Sequence, residues 1–263
     1  MTEQTTAETQ SPPIAISSEE ISAVRNNIFA NYSRFKPMVD DIKSRLRTEE
    51  DVIDAALGIG NNGTAAVPLQ FEGQNYVLRM SSDPRLTVNI TDRLEGAIRG
   101  FGIKGLEQVV AASIPDHIFI SEMMPGKSVR YIGPQLEQQI TDQQLANLIE
   151  SIMKANTRGI AFDTEHENIL YDPFNGFGLI DYDYSEDVRH SLSITLNAFA
   201  VPLATMGRGL RGKNFDDHQR REQTKIDLQL LSQFGKQCET RIQGKDRERI
   251  QQGIKNIEYT LTR

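Results

Sequence analysis

Asp163 and Asn168 stand as D-x-x-x-x-N in FDTEHENILYD, and Asp181 comes thirteen residues after Asn168, at the end of FGLI. Carboxylates and amides are oxygen donors, the ligand type that a hard cation such as Mg²⁺ takes. The intervening ILYDPFNGFGLI reads as a hairpin with its turn at Asp-Pro-Phe-Asn-Gly. A hairpin brings its two ends together, so Asn168 and Asp181 are expected to converge on one metal ion. Asp163 would lie just outside it, where it could accept a hydroxyl proton or orient a nucleophile. His166, in the same loop, reads as a solvent-exposed histidine. No His/Cys cluster of zinc spacing and no G-x-S-x-G elbow is present.

A second group of residues could hold phosphate. Gly58, Gly60 and Gly63 form G-x-G-x-x-G in LGIGNNGTAA. In a dinucleotide-binding unit this motif opens a helix. Here Pro68 and strand composition follow, which argues against a helix start. A glycine-rich loop between antiparallel strands serves instead as a lid over ATP phosphates, because side chains would hold the backbone N–H groups away. Arg79 follows in YVLRM. Alternation puts Val77 and Arg79 on one face of a strand and Tyr76, Leu78 and Met80 on the other. A cation flanked by apolar residues needs a partner. Glu95, in TDRLEGAIRG, is the first candidate and Glu107 the second.

The elements that must position these groups divide in two. Ser17 and Glu20 have capping-box spacing before Ile21, Val24, Ile28, Tyr32 and Phe35, which predicts a first amphipathic helix, with a second short one over 38–47. AVPLQF, NYVLRM and HIFISEM have strand composition, the first two joined at FEGQNY. TDRLEGAIRGF reads as a helix between them and HIFISEM. Helical faces recur over 141–156, 192–206, 223–235 and 246–261. Segregated strands and helices predict an α+β fold of two lobes with a cleft between them. The expected division is a disordered tail over 1–17, a helical extension over 18–50, a sheet-bearing lobe over 51–125, and a helical lobe over 126–263 carrying the catalytic and metal-binding loops.

The chain of 263 residues is 38% apolar and carries a formal net charge of −7, so no general attraction to nucleic acid or anionic lipid is expected. No run of about 18 apolar residues is present, and no membrane span is expected. The single cysteine, Cys238, cannot form an internal disulfide. A cytoplasmic location is expected, with a secreted effector as the alternative.

Taken in order, these motifs resemble the protein-kinase-like superfamily over roughly residues 51–190. Gly58, Gly60 and Gly63 match its glycine-rich loop. Arg79 stands where its strand lysine belongs and Glu95 where that lysine's helical partner belongs. HIFISEMMPG is similar to its last strand and hinge, with Glu122 and Met124 near the adenine-binding backbone. Asp163 and Asn168 match the catalytic loop and Asp181 the metal-binding aspartate. IDYDYSE is similar to the branch of aminoglycoside phosphotransferases and choline kinases. The resemblance implies a two-lobed kinase-like fold, ATP and Mg²⁺ as cofactors, and transfer of the γ-phosphate to a hydroxyl of a small-molecule acceptor. Two alternatives remain: a compact protein kinase, and a pseudokinase that binds nucleotide without transfer. The His-Arg or His-Gly usual before the catalytic aspartate is Ala161-Phe162 here, which motivates the second. Glu165, Glu167, Asp183, Glu186 and Asp187 would favour a cationic acceptor or form a solvated rim. The basic stretch 208–221 reads as a connector rather than a lid.

Overall fold

Ser17 and Glu20 close their capping box and start α1 (Ser18–Arg45). The helix runs through Pro37 without a break, where the sequence predicted two helices. An interior proline removes one backbone hydrogen bond. Pro37 is exposed, while Phe35, Val39 and Ile42 on either side of it are buried in one apolar cluster. That burial keeps the helix continuous. A second capping box, Thr48 with Asp51, starts α2 (Glu49–Ala55).

The computed structural model describes residues 16–60, 63–87, 89–184, 192–207 and 216–263. Residues 1–15 of the tail expected over 1–17, Glu186, Asp187 and the basic residues of 208–215 lie outside them.

A two-residue turn sets the register of the sheet. Glu72 and Gly73 both have positive φ, 50° and 79°, as a tight hairpin requires. They join β2 (Thr64–Phe71) to β3 (Gln74–Ser81). β1 (Gly58–Ile59) pairs with the free edge of β2. After α3 (Thr91–Gly100) come β4 (Val109–Ser113) and β5 (Ile118–Glu122). The result is an antiparallel sheet of order β1-β2-β3-β5-β4, with Arg79 on its central strand. One face buries Val67, Leu78, Met80 and Ile120 against α1 and the neighbourhood of α2. The other turns towards α3, where Phe119 and Ala112 meet Leu94 and Ile98. Asp116 fastens α1 from the side. It accepts from Tyr32 Oη at 2.9 Å and Ser113 Oγ at 2.7 Å, and pairs with Lys43 at 3.3 Å.

The rest is mainly helical. β6 (Lys127–Ser128) and the short α4 (Pro134–Glu137) lead to α5 (Asp142–Thr157), which opens on the Thr141–Gln144 capping box. β7 (Ile160–Phe162), β8 (Ile169–Asp172), β9 (Gly176–Leu179) and β10 (Tyr182–Tyr184) follow. α6 (Leu192–Ala204), α7 (Asp217–Arg241) and α8 (Gly244–Leu261) complete the chain. Leu148, Ile152, Phe199, Leu203, Leu231 and Phe234 form the centre of a second core there. The fold is α+β and two-lobed: an antiparallel sheet with one inserted helix, then a largely helical part. Among the described residues no helix is long and apolar enough to cross a membrane.

Helix α3 connects the two parts because two glycines let it close on β10. A Cβ at Gly96 would lie 2.8 Å from the Asp183 carbonyl carbon and 2.9 Å from Tyr184 N. Both atoms are backbone and cannot swing aside. Gly96→Ala is therefore expected to cost about 1–3 kcal/mol, as overpacked sites do. A lower urea midpoint would register it. An unchanged midpoint would mean that the contact is loose.

Candidate functional site

Residues 58, 66, 79 and 119 form one row across the sheet, since Gly58 pairs with Ala66, Ala66 with Arg79, and Arg79 with Phe119. The glycine motif is thus aligned with Arg79, two strands away. Its turn is closed by Gly63 N donating to Gly60 O at 2.9 Å, and Ser82 N donates to Gly63 O at 2.7 Å. Gly63 has φ +74°, which a side chain would strain.

The partner of Arg79 is Glu107, not Glu95. Arg79 Nη2 donates to Glu107 Oε1 at 3.1 Å, and the residues are 8% and 5% exposed. Glu95 lies on the other side of α3, paired with Arg25 and with Arg99. Helical spacing explains the difference. Ile90, Leu94, Ala97 and Ile98 are the buried stripe of α3, and Arg93 falls on it while Glu95 does not. Glu107 sits in an irregular segment laced to β9: its N–H donates to Leu179 O at 2.9 Å. Ser121 Oγ donates to Glu107 Oε1 at 2.6 Å. Burial alone would raise the Glu107 pKa, but Arg79, the Ser121 hydroxyl and Arg93 outweigh it and hold the carboxyl below its ordinary range.

The acid–amide trio gathers at the ends of two small strand pairs. β8 and β9 align Ile169 with Leu179, and Ile180 N donates to Asn168 O at 3.0 Å. β7 and β10 align Phe162 with Tyr182, so the next pair in register is Asp163 with Asp181. Asn168 Nδ2 donates to Asp163 O at 3.4 Å. Asp181 has φ +60°, a left-handed conformation that aspartate tolerates better than most side chains. Its carboxylate is held by Arg93, which sequence reasoning did not single out. The signal was present: position 93 shares the apolar stripe of its helix.

Arg93 is 6% exposed, and its guanidinium stands 6.0 Å from the Phe119 ring centre. Burial first, then Arg79, draws its pKa down, while Glu107, Asp183 and Asp163 oppose that. Asp183 shifts the other way. Although the residue is exposed, desolvation of its carboxyl by the packed neighbours raises its pKa above the ordinary range, Arg93 opposes this, and Asp92 and Asp163 add repulsion. The guanidinium groups of Arg79 and Arg93 and the carboxylates of Asp92, Glu107, Asp163, Asp181 and Asp183 therefore share one electrostatic neighbourhood. The Nε atoms of Arg79 and Arg93, and Arg93 Nη2, are buried and form no hydrogen bond among the described residues; Nη2 meets Asp181 as an ion pair.

Glu122 ends β5 and is exposed. Met124 lies over β9: a Cβ at Gly178 would come 2.9 Å from Met124 Cε. The segment after β5 thus rests on the strand that leads to Asp181.

The loop from Asp163 to Asn168 is anchored without a histidine before the aspartate. Phe162 packs on Tyr182 and Phe199, at 5.9 and 5.2 Å between ring centres. Ser128 Oγ donates to His166 O at 2.8 Å, and Arg130 pairs with Glu167. His166, expected in solvent, is half-buried, with Nε2 2.7 Å from Thr205 Oγ1. Between this loop and α6 opens a groove of about 640 Å³, lined by Asp163, Glu165, Arg130, Val201 and Pro202 among others.

Among the described residues no preformed cluster of three or more His, Cys, Asp or Glu side chains suits a metal. Mg²⁺ does not need one, since it binds through one or two carboxylates with waters and phosphate oxygens. The oxygen donors of Asn168 and Asp181 are of the type that fits such an ion.

No family model matches the chain, and no curated protein does. Among solved structures it is similar to an apo pseudokinase, at 10% identity over 81% of this chain and 95% of that chain, with a TM-score of 0.46.

Proposed function

We propose that the chain binds ATP with Mg²⁺ between the sheet and the β7–β10 loops and transfers the γ-phosphoryl group to a hydroxyl of a small molecule in the groove beside Asp163. The observation that carries this reading is the β7–β10 register, which makes Asp163 and Asp181 the next pair beyond Phe162 and Tyr182, both within the electrostatic reach of Arg93. Arg79, kept in place by Glu107, would meet phosphate oxygens with its planar fork. Asn168 and Asp181 would hold the metal, whose contribution is neutralisation of phosphate charge. Asp163 would take the proton of the acceptor hydroxyl as its oxygen bonds to phosphorus and the bond to the leaving ADP breaks. Glu167 is neutralised by Arg130, so Asp163 and Glu165 leave the groove net acidic and favour an acceptor bearing an amine.

A second reading is a pseudokinase. Arg93 favours it, because it engages the carboxylate that metal would need. Incubation with γ-labelled ATP, Mg²⁺ and a panel of hydroxyl acceptors separates the two. Label moving to an acceptor supports transfer. ATP binding without movement of label supports the pseudokinase, and no ATP binding at all contradicts both.

A further inference from the structure

The pairing of Arg93 with Asp181 has a consequence for how metal enters. Arg93 belongs to α3, which Gly96 and Gly100 seat directly on β10. Its side chain is 7% exposed and that of Asp181 28%. The Arg93 Nε and Nη2, both buried, form no hydrogen bond among the described residues, so Asp181 holds the guanidinium as a charge partner only. The guanidinium is thus a fixed, desolvated cation with donor capacity to spare. Asp181, in its left-handed conformation, is supplied with a positive partner by the chain itself.

We infer that Arg93 is a tethered cation standing in the place of the metal, which yields Asp181 when a divalent ion arrives with an anion able to receive the freed guanidinium. This rests on the reading of Asp181 as a metal ligand. Arg93 is then a positioning residue for Asp181 and a phosphate-binding group once released. A buried guanidinium left without an anion is costly. Metal alone should therefore bind poorly to the native chain.

The test is titration of the full chain with Mn²⁺ alone, read as loss of the free-ion magnetic resonance signal. Arg93→Gln is expected to bind Mn²⁺ at least about tenfold more tightly than wild type, a change of about 1.4 kcal/mol. Asp181→Asn added to Arg93→Gln should erase the gain. Arg93→Met, which fills similar space without charge, should behave like Arg93→Gln. Unchanged or weaker Mn²⁺ binding in folded Arg93→Gln would overturn the proposal. So would failure of both variants to fold even in saturating Mn²⁺, since an exchangeable cation must be replaceable. No nucleotide enters this assay. A gain in Mn²⁺ affinity in a chain that never transfers phosphate would keep the inference and refute phosphotransfer. Transfer by wild type without that gain would do the reverse.

Discussion

Glu107→Ala is expected to lower folding stability by about 3–5 kcal/mol, the usual result of removing one member of a buried ion pair. Arg79 would stay behind, 8% exposed, with its Nε already lacking an acceptor among the described residues. Ser121 would lose its carboxylate acceptor as well. Glu95→Ala is the control. Glu95 pairs with Arg25, whose side chain is 41% exposed, and with Arg99 on its own helix. Pairs of that kind contribute about 0–1 kcal/mol. Urea unfolding of the two variants should separate them widely. The double replacement Arg79→Leu, Glu107→Leu should recover much of the loss, because it leaves no orphaned charge. Equal midpoints for Glu107→Ala and Glu95→Ala would contradict the assignment of Glu107 as the partner of Arg79.

Asp163→Ala is expected to reduce phosphoryl transfer by about 10²–10⁴-fold, the range for loss of a general base. Asp163 is exposed, and its carboxylate accepts a local hydrogen bond from Glu165 N at 3.3 Å. Its loop is held by other groups: Phe162, His166, Ser128 and Arg130. The melting temperature should therefore stay near that of wild type. A group that acts on the acceptor proton lowers kcat without moving nucleotide affinity. Single-turnover transfer beside ATP titration measures both. Wild-type transfer in Asp163→Ala would remove Asp163 from the chemistry.

How much was legible depended on periodicity. The face of Arg79 follows from alternation along Tyr76–Met80, and the two hairpins follow from Glu72-Gly73 and Asp172–Gly176. The partner of Arg79 did not follow. Glu107 lies between a helix and a strand, where no period marks which way a side chain points. Glu95 was the plausible choice only while the stripe of α3 was unassigned. Once Ile90, Leu94, Ala97 and Ile98 define it, Arg93 is the residue that turns inward. The pairing of β7 with β10 was also out of reach: each has three residues, too few for a strand pattern to stand out. The continuity of α1 through Pro37 was not legible, because a proline opposes a helix locally whereas the buried contacts of Phe35 and Val39 that sustain it are tertiary. Motif order and spacing, by contrast, brought Asp163, Asn168 and Asp181 into view together, because they depend on sequence separation alone.

Hydrogen exchange with and without ATP and Mg²⁺ tests most directly whether glycine turn, hinge and acidic loops share one nucleotide. The expected result is slower amide exchange in three separated segments at once, 58–64, 122–126 and 181–184, with α8 unchanged. Protection of none of them, or of one alone, would contradict a common nucleotide site.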